Sequence, residues 1–487
     1  MLPDSKPFQF DAETRRRLGY KLIDRISEYF ESLPQRPVQQ PAAQRTFGDL
    51  SDSLPEFGAD AEQVLEDCIQ ALIGQGFHVP SGNYFGLMNP APAYMGVLAE
   101  ALVAALNPQL ATLARSQLAS KIERETVRWI GERVGWSSGF DGTFTSGGNE
   151  ANFSGLALAI AAHFPGSIEN GIATIGRQPV LYASTESHHS LDKSASLLGL
   201  GRKALHKIPV NSLMEMEPGQ LEAAIESDRD RGLAPFCVVA TSGTTNSGGL
   251  DDLESISEIC KRNHLWLHVD GAYGASAVFS DKHRGLLRGI ELADSITIDP
   301  HKWLAMPFAA GVILTSQPEM LVRAFGTSVP YMPKDARAAL LDNFKVSTQW
   351  SRRMNSLKLW LTLRVHGRQA YEQHIDRQLT LAASFRRWLE HSQLFELAVI
   401  PKLPILNCRV RMHGSEEQVA AANSAVVDEV TRDGTRWIST TSANGHSVIR
   451  IMIISYHTGE EQLRGLQDAM TAAAARVLGK EPANTLR

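Results

Sequence analysis

Two periodicities divide this chain. From Asp11 to Leu33 the apolar residues Leu18, Leu22, Ile26, Tyr29 and Leu33, flanked by Ile23 and Phe30, recur at helical spacing behind a plausible Asp11 N-cap. An amphipathic helix is predicted, with an apolar stripe that has to dock on something. The stretch "LPQRPVQQPAAQRTFG" after it is polar and without periodicity, so it reads as an arm and not as core. Between about 85 and 365, helical patterns alternate with short apolar runs: "PVLYAS" (179–184), "PFCVVATS" (235–242), "LWLHVD" (265–270), "SITID" (295–299) and "AGVILTS" (310–316). That alternation predicts crossover units and a mostly parallel sheet covered on both faces, in which ligands bind at the carboxyl ends of strands. Beyond 366, "LPILNCRVRM" (403–412) and "SVIRIMIISY" (447–456) lie among helical patterns and predict a smaller α+β unit. The expected division is an N-terminal helical arm (1–84), a large α/β domain (85–365) and a small C-terminal domain (366–487).

Composition narrows the function classes. A 43% hydrophobic and 21% charged chain with a net charge of −5 is ordinary for a globular protein and gives no reason to expect nucleic acid or a membrane surface as a partner. The four cysteines are scattered and have no metal-ligand spacing, so reduced thiols and no metal are expected. With no signal-like or membrane-spanning run, the expected location is the cytoplasm.

The chemistry-bearing residues cluster at strand ends. Lys302 follows "TIDPH", where partial desolvation would make its amine a nucleophile able to form an imine with pyridoxal phosphate. Asp270 ends the run "WLHVD"; alone it also fits a helix N-cap, but against a pyridine nitrogen its charge would favour the protonated ring. In "TFTSGGNEANFSGL" a turn through Gly148 and Asn149 runs straight into a helix and offers free amides to a phosphate, although a plain turn also fits. It is not a Walker sequence. Of the two histidines in "ASTESHHS", His188 could stack on a flat ring, although a histidine satisfied by backbone at a helix start also fits.

In this order, "HVDGAYG", "DPHKW" and "SRRMNSLKLW" resemble the group II pyridoxal-phosphate decarboxylases of aromatic amino acids, glutamate, cysteine sulfinate and histidine, over nearly the whole chain. The resemblance implies a type I aminotransferase-like α/β fold with a mostly parallel seven-stranded sheet in the large domain. It also implies a homodimer with shared active sites, the helical arm packing on the partner. By similarity Lys302 forms the internal aldimine, Asp270 pairs with the ring nitrogen, His188 stacks on the ring and Ala272 packs against its other face. Gly148 and Asn149, with His301 nearby, match the phosphate site, and Thr245 matches a threonine near cofactor and substrate carboxylate. Tyr331, in the long loop expected over 324–343, matches the proton donor that completes decarboxylation; relatives with phenylalanine there tend to make aldehydes.

Two departures stand out. Position 299 is Asp where animal aromatic decarboxylases carry Asn, and an acid beside a phosphate needs a neighbouring cation or backbone donors. The segment "NPQLATLARSQLASKIE", which in the resembling enzymes supplies substrate-pocket residues, lacks their bulky aromatics. Gln109, Ala111 and Arg115 there imply a roomier, more polar pocket, with Arg115 able to meet an acidic side chain. The resulting expectation is decarboxylation of an amino acid to its amine. The alternatives are an aldehyde synthase or carbon–carbon lyase with the same cofactor, and a catalytically silent binding protein.

Overall fold

In the computed structural model, which describes residues 8–41, 53–327 and 342–479, the apolar runs become strands of one seven-stranded sheet. They are β1 (Asp141–Thr145), β2 (Pro179–Ser184), β3 (Leu205–Ile208), β4 (Ala234–Thr241), β5 (Trp266–Asp270), β6 (Ser295–Ile298) and β7 (Gly311–Thr315), in the spatial order β1-β7-β6-β5-β4-β2-β3. Strands β3, β2, β4, β5 and β6 run parallel. Strand β7 is antiparallel to both its neighbours. The reason is local: the 299–310 connection holds only tight turns, and a parallel return would need a longer crossover, usually helical.

Period-two alternation buries both faces of the sheet. On β4, Val238 and Ala240 enter one apolar cluster with Leu267, Val269, Ile296 and Ile298, while Cys237 and Val239 enter another with Leu181, Ala183 and Trp266. The helices Leu113–Val134 and Leu253–Asn263 cover the first face and the helix Gly148–His163 covers the second. Each fully buried Val, Leu or Ile side chain contributes about 1.5–3 kcal/mol.

A second, antiparallel sheet is built from β8 (Phe395–Leu397), β9 (Ile405–Val410), β10 (Ser439–Ala443) and β11 (His446–Met452). Helices Glu416–Thr431 and Glu460–Val477 share its core. The long helix Ser356–His391 reaches from the large sheet's side to this one and breaks at Gly367, whose φ of 72° is open to glycine at little cost.

The helix Ala12–Ser32 starts where the pattern placed it, with Asp11 Oδ1 accepting from the Thr14 amide at 2.7 Å. None of its residues is buried, and Tyr20 is 68% exposed. Arg17, Lys21 and Arg25 tie it to Glu62 and Glu66 of the helix Ala61–Gln75. Of the stretch after it, residues 42–48 lie outside the described residues, and the described part packs against the rest of the chain. Val38 is fully buried, its carbonyl accepts from the His78 amide at 2.6 Å, and the Gln39 amide donates to Gly434 O at 3.2 Å. A single valine among prolines has no periodicity to betray its burial. Among the described residues, no helix is long and apolar enough to cross a membrane.

Candidate active site

The carboxyl ends of β4, β5 and β6 open on one crevice. Strand β5 carries Asp270 to its rim; the side chain is 5% exposed, with Oδ2 accepting from Asn152 Nδ2 at 2.8 Å and Oδ1 from the Ala272 amide at 3.2 Å. Both carboxylate oxygens are thus held from the protein side. Ala272 is itself buried, and its carbonyl receives the Asp299 amide at 3.0 Å, which ties the turn after β5 to the end of β6.

After β6, Lys302 lies one turn on from Asp299, and its partly exposed ammonium pairs with Asp299 Oδ2 at 3.2 Å. His301 Nε2 stands 3.6 Å from the same oxygen, and its Nδ1 accepts from the Ala310 amide at 3.0 Å. The cation that the acid at 299 required is therefore Lys302. Asp299 Oδ1 is buried and has no protein partner. Oδ2 lies so close to the helix Gly148–His163 that a Cβ on Gly148 would come within 2.6 Å of it.

That helix follows β1 through Gly147, whose φ of 146° suits glycine. Glu150 accepts from the Ser146 amide at 2.6 Å and from Gln349 Nε2 at 2.7 Å. The first-turn amides of Gly148 and Asn149 have no partner within the helix, which leaves them with the positive end of its dipole to face an anion.

His188 is open to solvent on one side, and its Nδ1 accepts from the Ser190 amide at 3.1 Å. Crowding by the crevice wall holds its pKa below the ordinary value; Asp270 opposes the shift and Lys302 adds to it. His188 thus lies within electrostatic reach of both Asp270 and Lys302. Thr245 lies in the loop after β4, its carbonyl accepting from Arg450 Nη1 at 3.0 Å. Asn407 and Thr441 clasp Asn246 in the same loop, so the small sheet holds this wall of the crevice.

Gln109 Nε2 donates to Ser351 Oγ at 3.0 Å, Ala111 is buried with its carbonyl accepting from the Phe344 amide, and Arg115 is exposed. Tyr331 and most of the loop expected over 324–343 fall outside the described residues; 324 and 325 end the helix Glu319–Phe325.

The cations of the signature "SRRMNSLKLW" tie neighbouring segments together. Arg352 is buried and pairs with Glu123 at 2.5 Å. Lys358, whose pKa burial lowers, donates to Ala309 O at 2.7 Å and Pro307 O at 3.2 Å and pairs with Glu100 at 2.7 Å. It braces the segment that carries the Ala310 amide to His301. Of Asn152 and His268, also passed over, only His268 carried a sequence signal, since it shares the Asp270 face of β5 at a spacing of two residues.

Burial depresses two histidines to about 4 from 6.5, His268 and His374. The unfolded chain binds more protons there, so the stability they contribute is present above pH 6.5 and is lost as pH falls toward 4, about 3 kcal/mol each over the window. Asp251, raised by burial to about 6, runs the other way and offsets about one of them. Net destabilisation is expected between pH 6.5 and 4, read as a falling denaturant midpoint; a midpoint that is flat or rises on acidification would refute it.

A parallel-sheet crevice with a lysine after one strand, an aspartate at the end of the next and a helix start beside them defines the class of pyridoxal-phosphate-dependent enzymes. The family description "Pyridoxal-dependent decarboxylase conserved domain" matches residues 44–411. An aromatic-L-amino-acid decarboxylase of Bacillus atrophaeus is 31% identical over 97% of this chain and 98% of its own. The cysteine sulfinic acid decarboxylase of Homo sapiens is 33% identical over 81% of this chain and 80% of its own. The crystal structure of mouse CSAD superposes with a TM-score of 0.89 at 25% identity, covering 96% of this chain and 99% of that one. The chain belongs to the pyridoxal-dependent decarboxylase family and, like the amino acid decarboxylases above, is a carboxy-lyase that uses pyridoxal phosphate.

Proposed function

We propose that this protein decarboxylates an L-amino acid to the corresponding amine, with Lys302 as the residue that holds the cofactor through its amine. The observation that carries this reading is Lys302 itself, a partly buried primary amine after β6, steadied by Asp299 and within the field of His188.

The donor set fits the cofactor. The Asp270 carboxylate, anchored on its protein side, suits a protonated ring nitrogen; His188 and Ala272 supply a flat and a small neighbour for two ring faces. The free amides of Gly148 and Asn149, with His301, suit a phosphate. Asp299 is the exception, since it puts like charge beside that phosphate; once the Lys302 amine is committed to the cofactor, His301 Nε2, 3.6 Å from Oδ2, is the neighbour left to face it. Pyridoxal phosphate, when bound, supplies the electron sink for the pair left behind as carbon dioxide departs. The rest falls to the protein. Asp270 keeps a proton on the ring nitrogen, Thr245 orients the carboxylate that leaves, and Tyr331 returns a proton through its hydroxyl to the substrate carbon. One proton is consumed for each carbon dioxide released.

Carbon dioxide release measured over a panel of amino acids tests the reading, and no release above background from any of them would reject it. For Tyr331→Phe, a drop in amine formation of about 10²–10⁴-fold is expected. Aldehyde and hydrogen peroxide should rise in its place, with oxygen as the oxidant, and unchanged amine yield would remove Tyr331 from the mechanism. Gln109, Ala111 and Arg115 are assigned to the substrate side of the site. Arg115→Ala should lower turnover of acidic substrates by about tenfold relative to aromatic ones, the loss of one charge-assisted hydrogen bond; equal losses for both classes would exclude that role.

We also propose a cytoplasmic homodimer. The helix Ala12–Ser32 buries no residue in its own chain, which supports docking on a second copy, and the four cysteines stand free as thiols. A monomer in sedimentation velocity at micromolar concentration would exclude the dimer, and secretion of a tagged full-length chain would exclude the compartment.

A further inference from the structure

Behind Asp270 runs a line of buried polar groups that no role above uses. Asn152 is 1% exposed and His268 is fully buried. Asn152 Nδ2 donates to Asp270 Oδ2 at 2.8 Å and to Ser190 Oγ at 3.0 Å, while its Oδ1 lies 3.1 Å from His268 Nε2. On the other side of the ring, His268 Nδ1 is 2.8 Å from Ser295 Oγ, which is 2.8 Å from Trp266 Nε1. Thr297 Oγ1 is a more distant neighbour of His268 Nε2, at 3.4 Å.

The two ends decide the direction of every link. An indole N–H can only donate, so Ser295 Oγ accepts from Trp266, which leaves its own hydroxyl proton available to His268 Nδ1. An ionised carboxylate can only accept, so the Asn152 nitrogen faces Asp270 and its oxygen faces His268. His268 therefore carries its single proton on Nε2. Burial, which holds its pKa at about 4, keeps it in that neutral form. The space for the ring is reserved as well: a Cβ on Gly155, one turn along the helix from Asn152, would come within 2.4 Å of His268 Cε1.

We propose that Asn152 and His268 are positioning residues that fix the Asp270 carboxylate for the cofactor's ring nitrogen through this one-way hydrogen-bond chain. The inference rests on the reading of Asp270 given above. With Oδ2 held by Asn152 and Oδ1 by the Ala272 amide, the carboxylate cannot turn without breaking a bond, and its remaining lone pairs stay aimed at one place.

The test uses the full-length protein reconstituted with pyridoxal phosphate, and two readouts: the cofactor dissociation constant measured without substrate, and kcat and KM measured separately. His268→Phe and Asn152→Ala are expected to weaken cofactor binding and to lower kcat, each by about tenfold or more, with KM little changed, as for a lost hydrogen bond to a charged group. His268→Gln, whose amide N–H can stand in for Nε2–H, should recover most of both. Native cofactor affinity and kcat in folded His268→Phe and Asn152→Ala, or a His268→Gln as damaged as His268→Phe, would overturn the proposal. Should His268→Phe fail to fold, Asn152→Ala decides by the same two readouts. Asp270→Ala serves as the standard: if it too keeps native affinity and turnover, the reading of Asp270 itself fails; if it is damaged while the others are native, only the positioning role is lost.

Discussion

Lys302→Ala is expected to lower carbon dioxide release by roughly 10⁴-fold or more, the scale on which enzymes suffer from loss of a covalent anchor or nucleophile. Borohydride should fix pyridoxal phosphate to the Lys302 peptide of the native protein and to no peptide of the variant. Two other lysines of the large domain are already committed. Lys358 is enclosed, its ammonium shared among Glu100, Pro307 O and Ala309 O. Lys207 is tied to Ser187 Oγ at 2.9 Å and to Asp192 at 3.4 Å. Neither can swing to the end of β6 without leaving those partners. A variant that retains cofactor on another lysine and keeps native turnover would remove Lys302 from the centre of the site.

Asp270→Ala is expected to cost about 10–10³-fold in kcat. An opposite charge against a pyridinium shifts its pKa by about 1–3 units, or about 1.4–4 kcal/mol, and this stabilisation of the protonated sink is what the substitution removes. Part of the loss should be recoverable without the carboxylate. A cofactor analogue methylated at the ring nitrogen carries a permanent positive charge, so it should restore turnover in Asp270→Ala while doing nothing for the native protein. If the analogue fails in the variant, the role of Asp270 is not to keep that nitrogen charged. Some stability is lost too, because Asn152 and the Ala272 amide each lose an acceptor in a buried setting.

The strands that lead to Lys302 and Asp270 were legible in the sequence as the short runs "SITID" and "LWLHVD"; the parts proposed for the two side chains came from the family motifs around them. The direction of β7 was not legible, since "AGVILTS" has the same pattern whichever way it runs; only the helix-poor connection before it decides. Strand β1, "DGTFT", and the short β3 lack an apolar run of useful length and lie at the sheet edges, where little flanking burial writes itself into the pattern. The pairing of Lys302 with Asp299 was within reach at a spacing of three residues, and it answers why an acid is tolerated there. Asn152 and His268 meet across 116 positions of sequence, and the hydrogen bond between Arg352 and Glu123 spans 229. No local period carries information over such distances.

The reversed strand β7 also bears on how this site comes together. Its first pairing with β6 joins Ser295 to Thr315, whereas its pairing with β1 joins Asp141 to the same Thr315. Closing the longer loop spans about three more doublings of chain length, roughly 2 kcal/mol of extra closure entropy. Of the pairings within the large sheet, the one framing Lys302 has the least chain freedom to give up. The turn bearing Lys302 is therefore specified by its own neighbourhood, while Asp270 and the amides of Gly148 and Asn149 must be recruited to it from farther along the chain.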